Sequence, residues 1–126
     1  MSTEPDLPIL NRKPLEELRT IGARIKRPDL VRSAFLAFRN SAPDRIQALK
    51  AGAAQNDPKA ISTSAHALNS SSASVGAARV SALCKRIEML ANGGSLEGAD
   101  ELVEAVEGEY SAAVQALEMF LQEPID

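Results

Sequence analysis

Apolar residues recur every three or four positions along most of this chain, and no other feature constrains the fold as strongly. The longest run with this spacing comprises Leu96, Ala99, Val103, Val106, Tyr110, Val114, Leu117 and Leu121. On an α-helix these positions share one face, so the run predicts a long amphipathic helix. Aromatic residues, which strands favour, are scarce: the chain has three phenylalanines, one tyrosine and no tryptophan. The sequence therefore predicts packed helices and not a β-sandwich.

Four further helices are predicted from the same spacing and from residues typical of helix ends. We expect the first to start at Pro14, and the second to start near Pro28-Asp29 and to close at Gly52. Pro43 lies inside the second pattern, where it removes a backbone hydrogen bond and crowds the carbonyl of Arg39. We therefore expect a kink or a break at this proline.

Capping signals bound the remaining helices. Asp57-Pro58 combines a side-chain cap with a proline at the first helical position, which predicts a third helix that runs to about Ser74 and ends at Gly76. The run Asn92-Gly93-Gly94 stops the fourth helix, and Ser95 can cap the fifth.

Short connections between long amphipathic helices make sequence neighbours antiparallel. The predicted fold is therefore all-α, an antiparallel four-helix bundle with a short additional N-terminal helix. We expect residues 1–12 to form a linker or flexible N-terminal segment, residues 13–122 to form the bundle, and residues 123–126 to form a tail.

Composition and charge exclude several classes of function. With 126 residues and a net charge of −3, the chain suits one mildly acidic domain that lacks the basic surface of nucleic-acid-binding proteins. One histidine and one cysteine cannot make an ordinary zinc site, and Cys84 lies on an apolar stripe, where we expect a core residue. The longest apolar run, Ala34–Phe38, is too short to cross a bilayer, and the N-terminus does not look like a secretory signal. We expect a monomer with no metal, no nucleic-acid partner and no direct membrane insertion.

The single histidine, His66, lies in unusual surroundings. It follows Ala65 of the third apolar stripe, so it points about 100° away from the centre of that stripe, and we expect it to be exposed. Its helical neighbours all have small or short side chains; they are Ser62, Thr63, Asn69, Ser70 and Ala73. A clearing of this kind lets the active site of another protein approach. We therefore assign partner docking to all of these neighbours except Asn69.

The facing helix is expected to bring three charged residues to the level of His66. Counting through the turn at Gly76 places residues 85–88 opposite the histidine, where Lys85, Arg86 and Glu88 lie off the apolar stripe. A cation at this level can pair with a phosphoryl group, and Glu88 can orient the imidazole by accepting its ring N–H. From position alone, His66 can also be a boundary residue of a Ser/Ala-rich helix, and both interpretations stay open.

Residues 65–77 have the sequence AHALNSSSASVGA and are followed by Leu83-Cys84 and Ile87-Glu88. This pattern resembles the phosphorylation helix of histidine-containing phosphotransfer (HPt) domains and the helix that follows it. The resemblance implies a four-helix bundle in which His66 is the phospho-acceptor of a phosphorelay. It would exchange a phosphoryl group with aspartates on the receiver domains of hybrid kinases or response regulators.

The same resemblance implies a carrier that is not an enzyme on its own. It needs no cofactor in this chain, and Mg²⁺ is expected on the partner receiver domain. HPt domains occur at the C-terminus of bacterial hybrid sensor histidine kinases, so the resemblance implies a cytoplasmic location, either free or tethered to the inner membrane through a parent kinase.

Two positions depart from the family pattern. HPt domains commonly carry a lysine three residues after the histidine and a glycine four residues after it, whereas this chain has Asn69 and Ser70. The lysine is thought to help neutralise the phosphoryl group, so here we assign phosphate binding or ring orientation to Asn69, Lys85, Arg86 and Glu88. Two alternatives remain: a receiver-docking bundle that has lost phosphotransfer because of Asn69 and Ser70, and a purely structural bundle.

Overall fold

The computed structural model describes residues 7–123, and all the regular secondary structure in this range is helical. The five helices are α1 (Arg12–Arg24), α2 (Leu30–Ala54), α3 (Pro58–Ser74), α4 (Ala78–Asn92) and α5 (Ala99–Gln122). Helices α2 to α5 form a closed ring in which α3 packs against α2 and α4, and α5 packs against α4 and α2, while α1 packs on α2 and α3. The predicted four-helix bundle with an additional N-terminal helix is confirmed.

The bundle interior is built from the apolar stripes of the helices. Its largest fully buried side chains include Phe38, Phe120, Leu49 and Leu68. Cys84 is fully buried among them, as expected, and this burial raises the pKa of its thiol to about 12. The cysteine is therefore an unreactive core residue. Of the helices within residues 7–123, none combines the length and the hydropathy that crossing a lipid bilayer requires.

The turns around α3 follow their capping signals. The Asp57 side chain accepts a hydrogen bond from the Ala60 amide at 3.2 Å, and Pro58 is the first helical residue. Gly76, at the other end, has a φ of +75°, and the Asn11 carbonyl oxygen lies where a Cβ atom would stand. A side chain at position 76 would therefore displace the chain that leads into α1.

The N-terminal boundary differs from the predicted one. Helix α1 begins at Arg12 and not at Pro14, because the Asn11 side chain caps it by accepting from the Lys13 amide at 3.1 Å. The Asn11 amide in turn donates to the Gly76 carbonyl at 2.6 Å. Residues 7–11 thus lie against the bundle, while residues 1–6 of the expected linker and residues 124–126 of the expected tail are outside the described range.

Two other predicted boundaries are wrong. Helix α2 does not close at Gly52 but continues to Ala54. Gly52 is buried against α3, where a Cβ atom at this position would lie only 2.8 Å from Cγ1 of Ile61. Helix α5 does not start after Ser95. The Ser95 hydroxyl accepts from the Glu97 amide within a turn, and the helix begins only after Gly98, whose φ is +84°.

Helix α2 continues through Pro43 without a break. A proline at this position leaves the carbonyl of Arg39 without its usual donor four residues later. The hydroxyl of Tyr110, on α5, donates to that carbonyl at 3.0 Å. The neighbouring helix therefore supplies the hydrogen bond that the proline removes.

We predict that Tyr110→Phe lowers the free energy of unfolding by about 0.5–1 kcal/mol, because the Arg39 carbonyl loses its donor. In a Pro43→Ala background the helix regains its own N–H donor, so the same substitution should cost much less. Chemical denaturation of the four proteins in this double-mutant cycle measures the difference. An equal loss in both backgrounds would contradict the assigned role of Tyr110.

Candidate functional site

His66 lies near the middle of α3, at the edge of the bundle. Its neighbour Ala65 is fully buried in the core, and the one-residue offset turns the imidazole outward, so that 69% of the His66 side chain is exposed. The predicted exposure is confirmed. The ring is open to a macromolecular partner without any movement of the bundle.

Glu88 on α4 contacts the imidazole. Its Oε2 lies 3.1 Å from Nδ1 of His66, and the Glu88 side chain is only 24% exposed. An ionised carboxylate can only accept a hydrogen bond, so the contact favours the tautomer in which Nδ1 carries the proton. Nε2, the outer ring nitrogen, then keeps its lone pair. The count through the Gly76 turn placed Glu88 correctly.

Two further hydrogen bonds flank this contact. The Ser62 hydroxyl donates to the Asn92 side-chain oxygen at 2.9 Å, and the Ser81 hydroxyl donates to the Asn69 side-chain oxygen at 2.5 Å. Together with His66–Glu88 these contacts form what we call the α3–α4 seam, made by Ser62, His66 and Asn69 on α3 and by Ser81, Glu88 and Asn92 on α4. The seam fixes the two helices side by side at the histidine.

Ser81 and Asn92 were not among the predicted site residues. A signal for them exists in the sequence, because residues 81, 85, 88 and 92 have the same four-three-four spacing as residues 62, 66, 69 and 73. If the two stripes face each other on antiparallel neighbours, Ser62 lies opposite Asn92 and His66 opposite Glu88, as observed. The same register places Ser81 opposite Ala73, whereas Ser81 bonds Asn69, so the spacing indicates Asn92 but not the partner of Ser81.

The two predicted cations lie on different sides of α4. Lys85 is exposed and precedes Glu88 by three residues, so it shares the face of α4 that carries the seam. Arg86 precedes Glu88 by two residues and is therefore about 160° away around the helix. It lines a groove between α4 and α5 together with Met89, Leu90, Glu97, Gly98, Glu101 and Leu102. Arg86 thus lies apart from His66.

The residues assigned to docking surround His66 on α3. Thr63, Ser70 and Ala73 are exposed, whereas Ser62 is half-buried and engaged in the seam. The side chains of all four are shorter than that of His66, so the imidazole protrudes from a low face of α3. Within residues 7–123 no three His, Cys, Asp or Glu side chains cluster as metal ligands would.

Comparisons with known proteins identify the family and the fold. The sequence model of the Hpt domain matches residues 34–123. The fold is similar to the crystal structure of histidine-containing phosphotransfer protein B (HptB) from Pseudomonas aeruginosa PAO1, with a TM-score of 0.81 and 23% identity over 94% of this chain and 98% of that one. None of the curated proteins compared with this sequence matches it.

The match to the family model covers most of the chain, including all of α3, α4 and α5. Hpt domains are phosphotransfer carriers rather than enzymes, and they interact with receiver domains and kinases in two-component phosphorelays. From its sequence and its helical bundle, this chain belongs to the Hpt domain family and is a phosphotransfer signalling module.

Proposed function

We propose that His66 accepts a phosphoryl group from an aspartyl phosphate of a receiver domain and returns it to a receiver aspartate. The observation that carries this proposal is the exposed imidazole whose Nδ1 is held by Glu88. The lone pair of Nε2 forms the new N–P bond, and the P–O bond to the receiver aspartate breaks. The carboxylate of the aspartate leaves with the bonding electron pair.

Glu88 has two roles in this step. It holds the ring so that Nε2 faces outward, and its negative charge stabilises the imidazolium that forms when the neutral ring attacks phosphorus. The half-buried position of Glu88 strengthens this second effect, because solvent screens its charge less than it would at a fully exposed site.

Phosphoryl transfer depends on alignment and on charge neutralisation. We assign neutralisation from this chain to Lys85, because it lies on the seam face of α4, whereas Arg86 lies towards α5. The receiver supplies the aspartate, and any Mg²⁺ that acts in the reaction belongs to the receiver. The low face formed by Thr63, Ser70 and Ala73 gives the receiver room to approach Nε2.

We predict that His66→Gln abolishes phosphate acceptance from a radiolabelled phospho-receiver. The unfolding free energy should change by less than about 0.5 kcal/mol, because the side chain is mostly exposed. The assay detects acid-labile, base-stable phosphate on this chain. Label on the His66→Gln variant would place the acceptor elsewhere, and an unlabelled wild-type chain that still binds the receiver would support the docking-only alternative.

We predict that Glu88→Ala lowers the initial transfer rate at least about tenfold, since a hydrogen bond to a charged group contributes about 1.5–3 kcal/mol. Glu88→Gln keeps an acceptor oxygen but loses the charge, so it should fall between Glu88→Ala and wild type. Single-turnover rates at saturating receiver separate this effect from docking. Equal rates for all three proteins would remove Glu88 from the mechanism.

We predict that Lys85→Ala lowers the transfer rate by up to about fivefold, which corresponds to the ~1 kcal/mol of an exposed charge pair. Arg86→Ala is the matched control, since it removes the same charge from the α5 side of the helix. The Lys85 effect should shrink at high salt because ions screen exposed charges. A larger effect from Arg86→Ala would contradict the assignment.

A further inference from the structure

The Asn69 side chain is held by a neighbour on the adjacent helix. Asn69 is half-buried, and its Oδ1 accepts from the Ser81 hydroxyl at 2.5 Å. Asn69 lies three residues after His66, so the two side chains are neighbours on the surface of α3. Ser81, on α4, therefore contacts a residue that lies beside His66 on α3.

We propose that Ser81 is a positioning residue that orients the Asn69 amide so that its NH₂ group donates to the phosphoryl group carried by His66. This inference rests on the proposed function. It assigns a neutral hydrogen-bond donor, the Asn69 amide, to the position at which HPt domains commonly carry a lysine.

The orientation follows from the chemistry of the amide. A carboxamide has an acceptor oxygen on one side and an NH₂ donor on the other. When the oxygen is occupied by the Ser81 hydroxyl, the NH₂ group is the end left for another partner. Without Ser81 the amide can turn over, and its oxygen would then face the phosphoryl oxygens, which are acceptors with negative charge.

The contribution of this pair differs in kind from that of Lys85. The amide carries no net charge, so its hydrogen bond to the phosphoryl group depends on geometry and short distance, and dissolved ions screen it little. The Lys85 contribution falls as the salt concentration rises, whereas the Ser81–Asn69 contribution persists. Salt dependence therefore separates the two sources of phosphoryl stabilisation.

The test is a double-mutant cycle with Ser81→Ala, Asn69→Ala and the combined variant, using a radiolabelled phospho-receiver. Ser81→Ala should lower the single-turnover transfer rate roughly three- to tenfold at low and at high salt, with no change in the receiver concentration that gives half-maximal rate. In the Asn69→Ala background, Ser81→Ala should have no further effect, because Ser81 acts through the amide.

Two controls separate positioning from a structural role. Ser81→Thr keeps the hydroxyl and should restore most of the rate, and Ser71→Ala removes a hydroxyl that donates only within α3, to the Leu68 carbonyl, and should leave the rate unchanged. Thermal melts of each variant report any loss of the bundle.

An unchanged rate in Ser81→Ala, or a Ser81→Ala effect of the same size with Asn69 already removed, would overturn the inference while leaving His66 as the acceptor. An unaltered chain that takes up no phosphate would overturn the proposed function, and this inference with it.

Discussion

The turn at Gly76 is the constraint on which the site depends. Its left-handed backbone, with a φ of +75°, reverses the chain between α3 and α4, and its carbonyl accepts from the Asn11 amide. The turn sets the register in which His66, ten residues before it, meets Glu88, twelve residues after it. A different turn length would rotate α4 by about 100° for each residue added and move the carboxylate away from the ring.

The α3–α4 seam links the two helices beside the histidine. Each of its three contacts joins a side chain of α3 to one of α4, and the central contact involves the imidazole itself. A carrier that binds its partners transiently benefits from an already ordered site, because little side-chain entropy is lost in each binding event. The His66 side chain is mostly exposed, while the Glu88 carboxylate that contacts its ring is largely covered by the two packed helices.

Helical periodicity and capping chemistry were sufficient to predict the bundle and the exposure of His66, since both depend on local spacing. The bounds of α3 follow from Asp57-Pro58 and Gly76 for the same reason. The end of α2 could not be read in this way, because Gly52 looks like a stop signal but is a packing position against Ile61, a residue of another helix. Only the packing of α2 on α3 reveals which role the glycine has.

The flanking side chains were harder to predict because they depend on rotation about a helix axis. Lys85 and Arg86 are adjacent in the sequence and chemically similar, yet one lies on the seam face and the other lines the groove towards α5. Sequence counting gave the level of α4 opposite His66 but not which cation shares the seam face. Ser81 and Asn92 were not predicted, because each forms its hydrogen bond with a residue on another helix.

The hydrogen bond from Tyr110 to the Arg39 carbonyl also bears on how the bundle assembles. It joins residues that are 71 positions apart, in place of a bond that an ordinary helix forms across four residues. The middle of α2 therefore completes its backbone hydrogen bonding only when α5 has docked, which adds a non-local hydrogen bond to the non-local packing of α5 on α2. Because of Pro43, the hydrogen bonding of α2 depends on α5, so we expect the two helices to form cooperatively.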